Sequence, residues 1–187
     1  MAVATAPRRR PLDSGGHRRA RPLSSSHLKR DLRHARDSDA EQFESFDLGG
    51  SSPWLDEVAE IVAGLIAWRS DPHVAQLDRQ VVVAVTDGRV VGVVAHERLA
   101  RSGGRAWDNH RYLMVTAVRG DQQRTGLARL LVESVLADLA SAGCESVEWL
   151  VHPSNRASIE FSRNVFPEAD ETQPPEDDPY VSFALAL

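Results

Sequence analysis

Six consecutive residues, Gln123-Arg124-Thr125-Gly126-Leu127-Ala128, bring together what is needed to hold a phosphate group. The residues after the glycine open an apolar helical repeat. Amides at a helix start lack intrahelical partners and carry partial positive charge, so an anion is stabilised there. Gly126 lets the backbone approach the anion closely, and Arg124 adds charge. Two other phosphate loops are excluded. A Walker loop needs a lysine after its last glycine and a Rossmann turn needs three spaced glycines, whereas Leu127 and Ala128 follow here.

The flanking elements must position this loop. Residues 112–118 form a short apolar run rich in β-branched side chains, of the length and composition of a buried strand. Downstream, Leu127, Leu130, Leu131, Val135 and Leu139 fall on one helix face, with Gly143 as the stop. A strand therefore turns into a helix across residues 119–125.

A strand, this loop and a helix in that order resemble the GNAT superfamily of acyl-CoA-dependent N-acyltransferases, whose signature is Gln or Arg, two residues, Gly, one residue, then Gly or Ala. Gln123, Gly126 and Ala128 fit it, and the resemblance covers roughly residues 81–187. It implies an α/β (α+β) fold, a mixed, mostly antiparallel sheet with flanking helices and a splayed central strand pair. It implies acetyl-CoA or a related acyl-CoA as co-substrate, held by Gln123, Arg124, Thr125, Gly126, Leu127 and Ala128. The backbone near Val118, with Thr116 on the same strand, would face the cofactor and its thioester. A second landmark follows residues 146–151, which read as a strand: Asn155 stands where members place an Asn that meets the cofactor. Ser154 or Asn155 could equally be a plain helix cap.

The resemblance implies transfer of an acyl group, acetyl above all, to a primary amine by direct attack. Many members carry a Tyr seven residues after that Asn as proton donor to the thiolate. Here the position is Ser162, whose shorter hydroxyl would have to work through water. Glu97, His96 and His110, at strand ends, are the candidates to take a proton from the acceptor's ammonium. Nothing pairs Cys144 or Ser162 with an activating base, which disfavours a covalent relay. Two alternatives stay open: a non-catalytic acyl-CoA-binding or regulatory protein, and a toxin-type aminoacyl-tRNA acetyltransferase, whose opening residues 43–56 faintly resemble.

The 187 residues fit one domain with an appendage. Residues 1–36 carry ten basic and two acidic side chains, the remainder twelve basic and twenty-five acidic ones, for a net charge of −5. The arginine-rich, apolar-poor start predicts a disordered basic arm over residues 1–38, with at most a weak helix at 26–37 carrying Leu28, Leu32 and Ala35. Nucleic acid would bind only through this arm, in a salt-dependent way. The expected domain is therefore 39–187. Its single cysteine excludes a multi-cysteine zinc site, and in His96-Glu97-Arg98-Leu99-Ala100 an alanine stands where a zinc-protease helix needs its second histidine, so no metal is expected. No apolar run approaches a membrane span, and a cytoplasmic location follows as the expectation. Members often dimerise, which leaves a homodimer open.

Around this centre the pattern predicts a first strand at residues 41–48 and a helix from Ser52-Pro53 with Trp54, Leu55, Val58, Ile61, Val62, Leu65 and Ile66 on its apolar side. In the family such a helix shapes the acceptor side, so Trp54 or Trp68 could touch substrate, though core packing explains both. Residues 81–85 and 90–95 form a hairpin on Asp87-Gly88, Gly92 marks a bulge, and residues 101–109 are a mobile-length loop. Finally Glu168, Asp170, Glu171, Glu176, Asp177 and Asp178 lie among prolines before a last strand at 180–185. In the family that loop borders the acceptor pocket, so its acids could steer a cationic amine.

Overall fold

The computed structural model describes residues 31–50, 53–67, 71–100, 106–173 and 180–187, without the side chains of 53, 54, 73, 100 and 106–108. Seven strands, β1 (Asp31–His34), β2 (Gln80–Thr86), β3 (Arg89–Ala100), β4 (Ala106–Val118), β5 (Ser146–Val151), β6 (Asp170–Thr172) and β7 (Val181–Ala186), form one sheet in the order β1-β2-β3-β4-β5-β7-β6. Among the described residues only β4 and β5 run parallel; every other neighbouring pair is antiparallel. Helices α1 (Ala40–Glu44), α2 (Pro53–Gly64) and the short α3 (Pro72–Ala75) precede β2, α4 (Leu127–Ser141) joins β4 to β5, and α5 (Arg156–Val165) follows β5. The mixed α/β sheet with flanking helices is the expected fold class.

Alternation along the strands divides the core. On one face Leu127, Leu131, Val132, Val135, Leu136 and Leu139 of α4, with Ile159 of α5, pack on Val94, Leu113, Val147 and Trp149. On the other, Phe43, Phe46, Val62 and Leu65 cover Val83, Val93, Val115 and Ala117. Burying each such side chain is worth about 1.5–3 kcal/mol. Leu130, expected in the α4 seam, is 41% exposed instead. The seam runs 127–131–135–139, and 132 and 136 rather than 130 widen it.

The β2–β3 hairpin turns on Asp87 (φ 51°) and Gly88 (φ 78°), the paired left-handed residues a tight primed turn requires. One extra β3 residue, Val91, is accommodated beside Gly92, where the register slips. A Cβ on Gly92 would stand 2.7 Å from Leu131 Cδ1, so the missing side chain lets α4 lie close to the sheet.

Three expectations are corrected at the start of the chain. Among the described residues the first strand is Asp31–His34, not residues 41–48, where a short helix buries Phe43. The same strand replaces the weak helix expected at 26–37 over its described part. It pairs with β2 from Asp31↔Val85 to His34↔Val82, so residues 31–38 belong to the domain and not to an arm. Arg33 fixes the turn that follows with two hydrogen bonds, of 2.7 and 2.8 Å, to the buried carboxylate of Asp39. That bond holds the Asp39 carboxyl below its ordinary range despite burial. The rest of the expected arm, Ser52, Trp68, Glu176, Asp177 and Asp178 lie outside the described residues, as does the Trp54 side chain. Among the described residues no helix is long and apolar enough to cross a membrane.

Candidate active site

β4 and β5 pair only from His110↔Ser146 to Leu113↔Trp149. At that point the β3–β4 register slips, Ala95 facing Val115 and His96 facing Leu113, so Met114 is an extra residue on β4. A bulge bends its strand, and beyond it β4 runs on to Val118 without β5. A gap opens between the parallel strands toward their C-terminal ends. The Arg119 amide donates to the Val91 carbonyl on β3 at 3.0 Å. Strand alternation then turns the amides and carbonyls of Thr116 and Val118 the other way, toward the gap.

The phosphate loop closes one end of it. Arg124 (φ 59°) and Gly126 (φ 80°) are both left-handed, and Gly126 caps α4 with no side-chain hydrogen bond to the first turn. A Cβ built on Gly126 meets nothing within 4 Å. The positive end of a four-turn helix is thus unobstructed beside Gly126, which fits a pyrophosphate. Thr125 turns its hydroxyl back to the Gln122 carbonyl at 2.7 Å. Gln123 is a brace: Nε2 donates to the Leu48 carbonyl at 2.8 Å and to the Val118 carbonyl at 3.4 Å. Asn155 caps α5, Oδ1 accepting from the Ser158 amide at 3.1 Å, which leaves its Nδ2 group for a ligand.

The four proton-transfer candidates do not converge. His110 lies at the opposite end of β4, its Nδ1 2.6 Å from Ser146 Oγ, about 20 Å of strand from Thr116. His96 is 6% exposed on the α4 face, in a groove of about 290 Å³ with His34, Gln80, Arg111, Val135 and Leu139. Burial and then Arg111 push its pKa down to about 4, so it is neutral, and its Nδ1 has no partner among the described residues. Ser162 is buried in the core, where its Oγ accepts from Trp149 Nε1 at 2.9 Å. Trp149 is itself held by Phe183, stacked at 5.5 Å, and by Phe166, edge-on at 5.7 Å. Glu97 lies on the α2 face, cross-strand from Tyr112, with Arg79 Nε donating to its Oε2 at 2.8 Å.

That face carries groups the sequence reading did not single out. Burial raises the Tyr112 phenol, and Glu97, Tyr180 and Glu57 raise it further. The Tyr180 hydroxyl donates to Glu57 Oε1 at 3.0 Å, and its ring meets His152 edge-on at 5.7 Å. The Ser154 amide donates to His152 Nδ1, so the imidazole proton sits on Nε2. Alternation against buried Val147, Trp149 and Val151 turns Glu148 and the 42% exposed Leu150 to this face as well. Of the acidic loop, Glu171 stands in strand β6 and is held below the ordinary carboxylate range by Arg163 of α5, which donates to it twice at 2.7 Å.

A parallel strand pair splayed beside an uncapped helix start, with an acidic face behind it, defines an acyl-CoA-dependent transferase architecture. Residues 32–165 match the profile of the acetyltransferase (GNAT) family, and the chain belongs to that family. No curated protein sequence matches it. The fold is shared with solved structures of low identity. One is described as a GNAT-family acetyltransferase of Desulfovibrio desulfuricans, at TM-score 0.67 and 17% identity, covering 84% of this chain and 98% of that one. PaiA N-acetyltransferase of Thermoplasma acidophilum, in complex with coenzyme A, follows at TM-score 0.63 and 11% identity over 86% and 100%. A GNAT acetyltransferase of Brucella melitensis, in complex with acetyl-CoA, gives 0.57 and 21% over 86% and 89%.

Proposed function

We propose that the chain moves an acetyl group from acetyl-CoA to the primary amine of a cationic acceptor by direct attack. The observation that carries this reading is the β4–β5 gap opening beside the uncapped N-terminus of α4. The CoA and acetyl-CoA complexes among the structural neighbours support it. Pyrophosphate binds the amides of residues 124–128, with Arg124 as counter-charge, and the pantetheine arm lies in the gap, where Asn155 Nδ2 adds a contact. The amides of Thr116 and Val118 face the thioester, a fixed dipole for the developing oxyanion. Gln123 acts through the loop it braces.

The acceptor enters from the α2 face. Glu57, Glu97 and Glu148 give that face an acidic cast which draws an ammonium in. Glu97, cross-strand from Tyr112 on this face, takes the ammonium's first proton, directly or through water. Positioning two reactants in one gap supplies much of the rate.

Calorimetric titration with acetyl-CoA, beside a thiol-release assay on small polyamines and basic peptides, tests this. Binding with release is expected. Binding without release on any cationic amine favours the non-catalytic alternative, and absence of binding contradicts the site.

A further inference from the structure

Amide formation from an ammonium moves two protons off nitrogen, one before attack and one as the adduct collapses, while the departing thiolate takes one up. Ser162, buried against Trp149, does not face the gap. Another hydroxyl lies on the opposite, α2 face. Tyr180 precedes β7, whose Val181 pairs with Val151, and β7 lies one strand beyond β5 on the side away from β4. The Tyr180 hydroxyl nevertheless reaches both carboxylate oxygens of Glu57, at 3.0 and 3.3 Å. Glu57 belongs to α2, which packs on β4. The tyrosine side chain therefore crosses the end of β5, and its hydroxyl comes to the mouth of the gap where β4 and β5 part. Val181 and Phe183 alternate into the α4-side core, which puts Tyr180 with Tyr112 on the acceptor side of the sheet.

We propose that Glu57 and Tyr180 form a proton relay from the attacking amine to the departing sulfur, with Tyr180 as the thiol's proton donor. The relay rests on the acetyl transfer proposed above. As the C–N bond forms and the C–S bond breaks, the electron pair of the latter leaves on sulfur. The nitrogen gives its second proton to Glu57, Glu57 passes it to the Tyr180 oxygen, and Tyr180 gives its own proton to sulfur. Both residues end as they began, and no tyrosinate accumulates beside the carboxylate. The first proton has already left by way of Glu97 and water. An exposed carboxylate in this place also selects for a positively charged acceptor.

The test uses the full chain. Calorimetry with CoA comes first, and absence of binding overturns the functional reading itself. With binding established, Tyr180→Cys is treated with CoA disulfide. The expected result is a saturable mixed disulfide at position 180, at least tenfold faster than at Cys144, the chain's one native cysteine, and blocked by acetyl-CoA. Equal rates at the two positions overturn the relay while leaving CoA binding intact. Tyr180→Phe, assayed with spermine, loses about 10²-fold in kcat with an unchanged KM for acetyl-CoA. With 4-nitrophenyl acetate, whose leaving group needs no acid, the loss is expected to stay under about twofold. An equal loss with both donors, as a merely structural tyrosine would give, or no loss with either, overturns the relay.

Discussion

Gly49 and Gly120 cross so closely that a Cβ added to Gly120 would stand 2.5 Å from the Cα of Gly49, and one added to Gly49 would stand 2.6 Å from the Cα of Gly120. The crossing clamps the α1–α2 connection onto the phosphate loop, and the Gly120 amide donates to the Asp47 carbonyl at 3.0 Å. Both obstacles are backbone and cannot swing aside. Gly120→Ala is expected to cost about 1–3 kcal/mol of stability and to weaken acetyl-CoA binding as the loop shifts. Thermal melting and calorimetry check this, and an unchanged Tm with unchanged Kd would contradict the clamp.

Gln123 extends the clamp by joining the carbonyls of Leu48 and Val118. Gln123→Leu removes both bonds at similar volume, and acetyl-CoA affinity should fall by about 1–2 kcal/mol, roughly 5- to 30-fold. Gln123→Glu should do worse, because a carboxylate would face two carbonyl oxygens. Equal Kd values for the three proteins would show that the side chain is idle.

Ser162→Ala leaves the Trp149 indole N–H buried without its acceptor. Denaturant unfolding should report a loss of about 1–3 kcal/mol. The kcat at saturating substrate should stay at the wild-type value. A fall in kcat with intact stability would return Ser162 to the mechanism.

His96 ties stability to pH. Its folded pKa of about 4 lies below the ordinary value of 6.5, because burial and the nearby Arg111 and His34 disfavour the cation more than Asp78 favours it. The unfolded chain therefore binds the proton first. His96's contribution is complete above pH 6.5 and is lost as pH falls from there toward 4, by about 2 kcal/mol at pH 5. In His96→Gln this part of the acid slope should vanish. An identical slope in both proteins would mean that other groups carry it.

What could be read in advance was local. The phosphate loop is six contiguous residues, the α4 seam repeats every four, and Asp87-Gly88 announces its own turn. β1 could not be read, because Asp31-Leu32-Arg33-His34 is a strand only by pairing with β2 and stands beside an arginine-rich stretch. Phe43 and Phe46, three apart, passed for strand residues although they bury one side of a short helix and the turn after it. Glu97 and His96 are adjacent in sequence yet face opposite sides of the sheet, a distinction that needs the strand register. Glu57 and Tyr180 stand 123 residues apart, so their hydrogen bond exists only once α2 and β7 are placed on the sheet.

The most direct measurement of the central claim is calorimetric titration of acetyl-CoA into the wild-type chain and into Gly126→Asp. The glycine faces open space, so a Cβ added there meets no protein atom within 4 Å. Its left-handed φ of 80° adds only about 1–2 kcal/mol of backbone strain. The carboxylate would stand where the pyrophosphate is held. Saturable binding by the wild type, with no measurable heat from a Gly126→Asp protein that still melts cooperatively, is the predicted result. Equal affinity in the two proteins would contradict the placement of the cofactor at the start of α4.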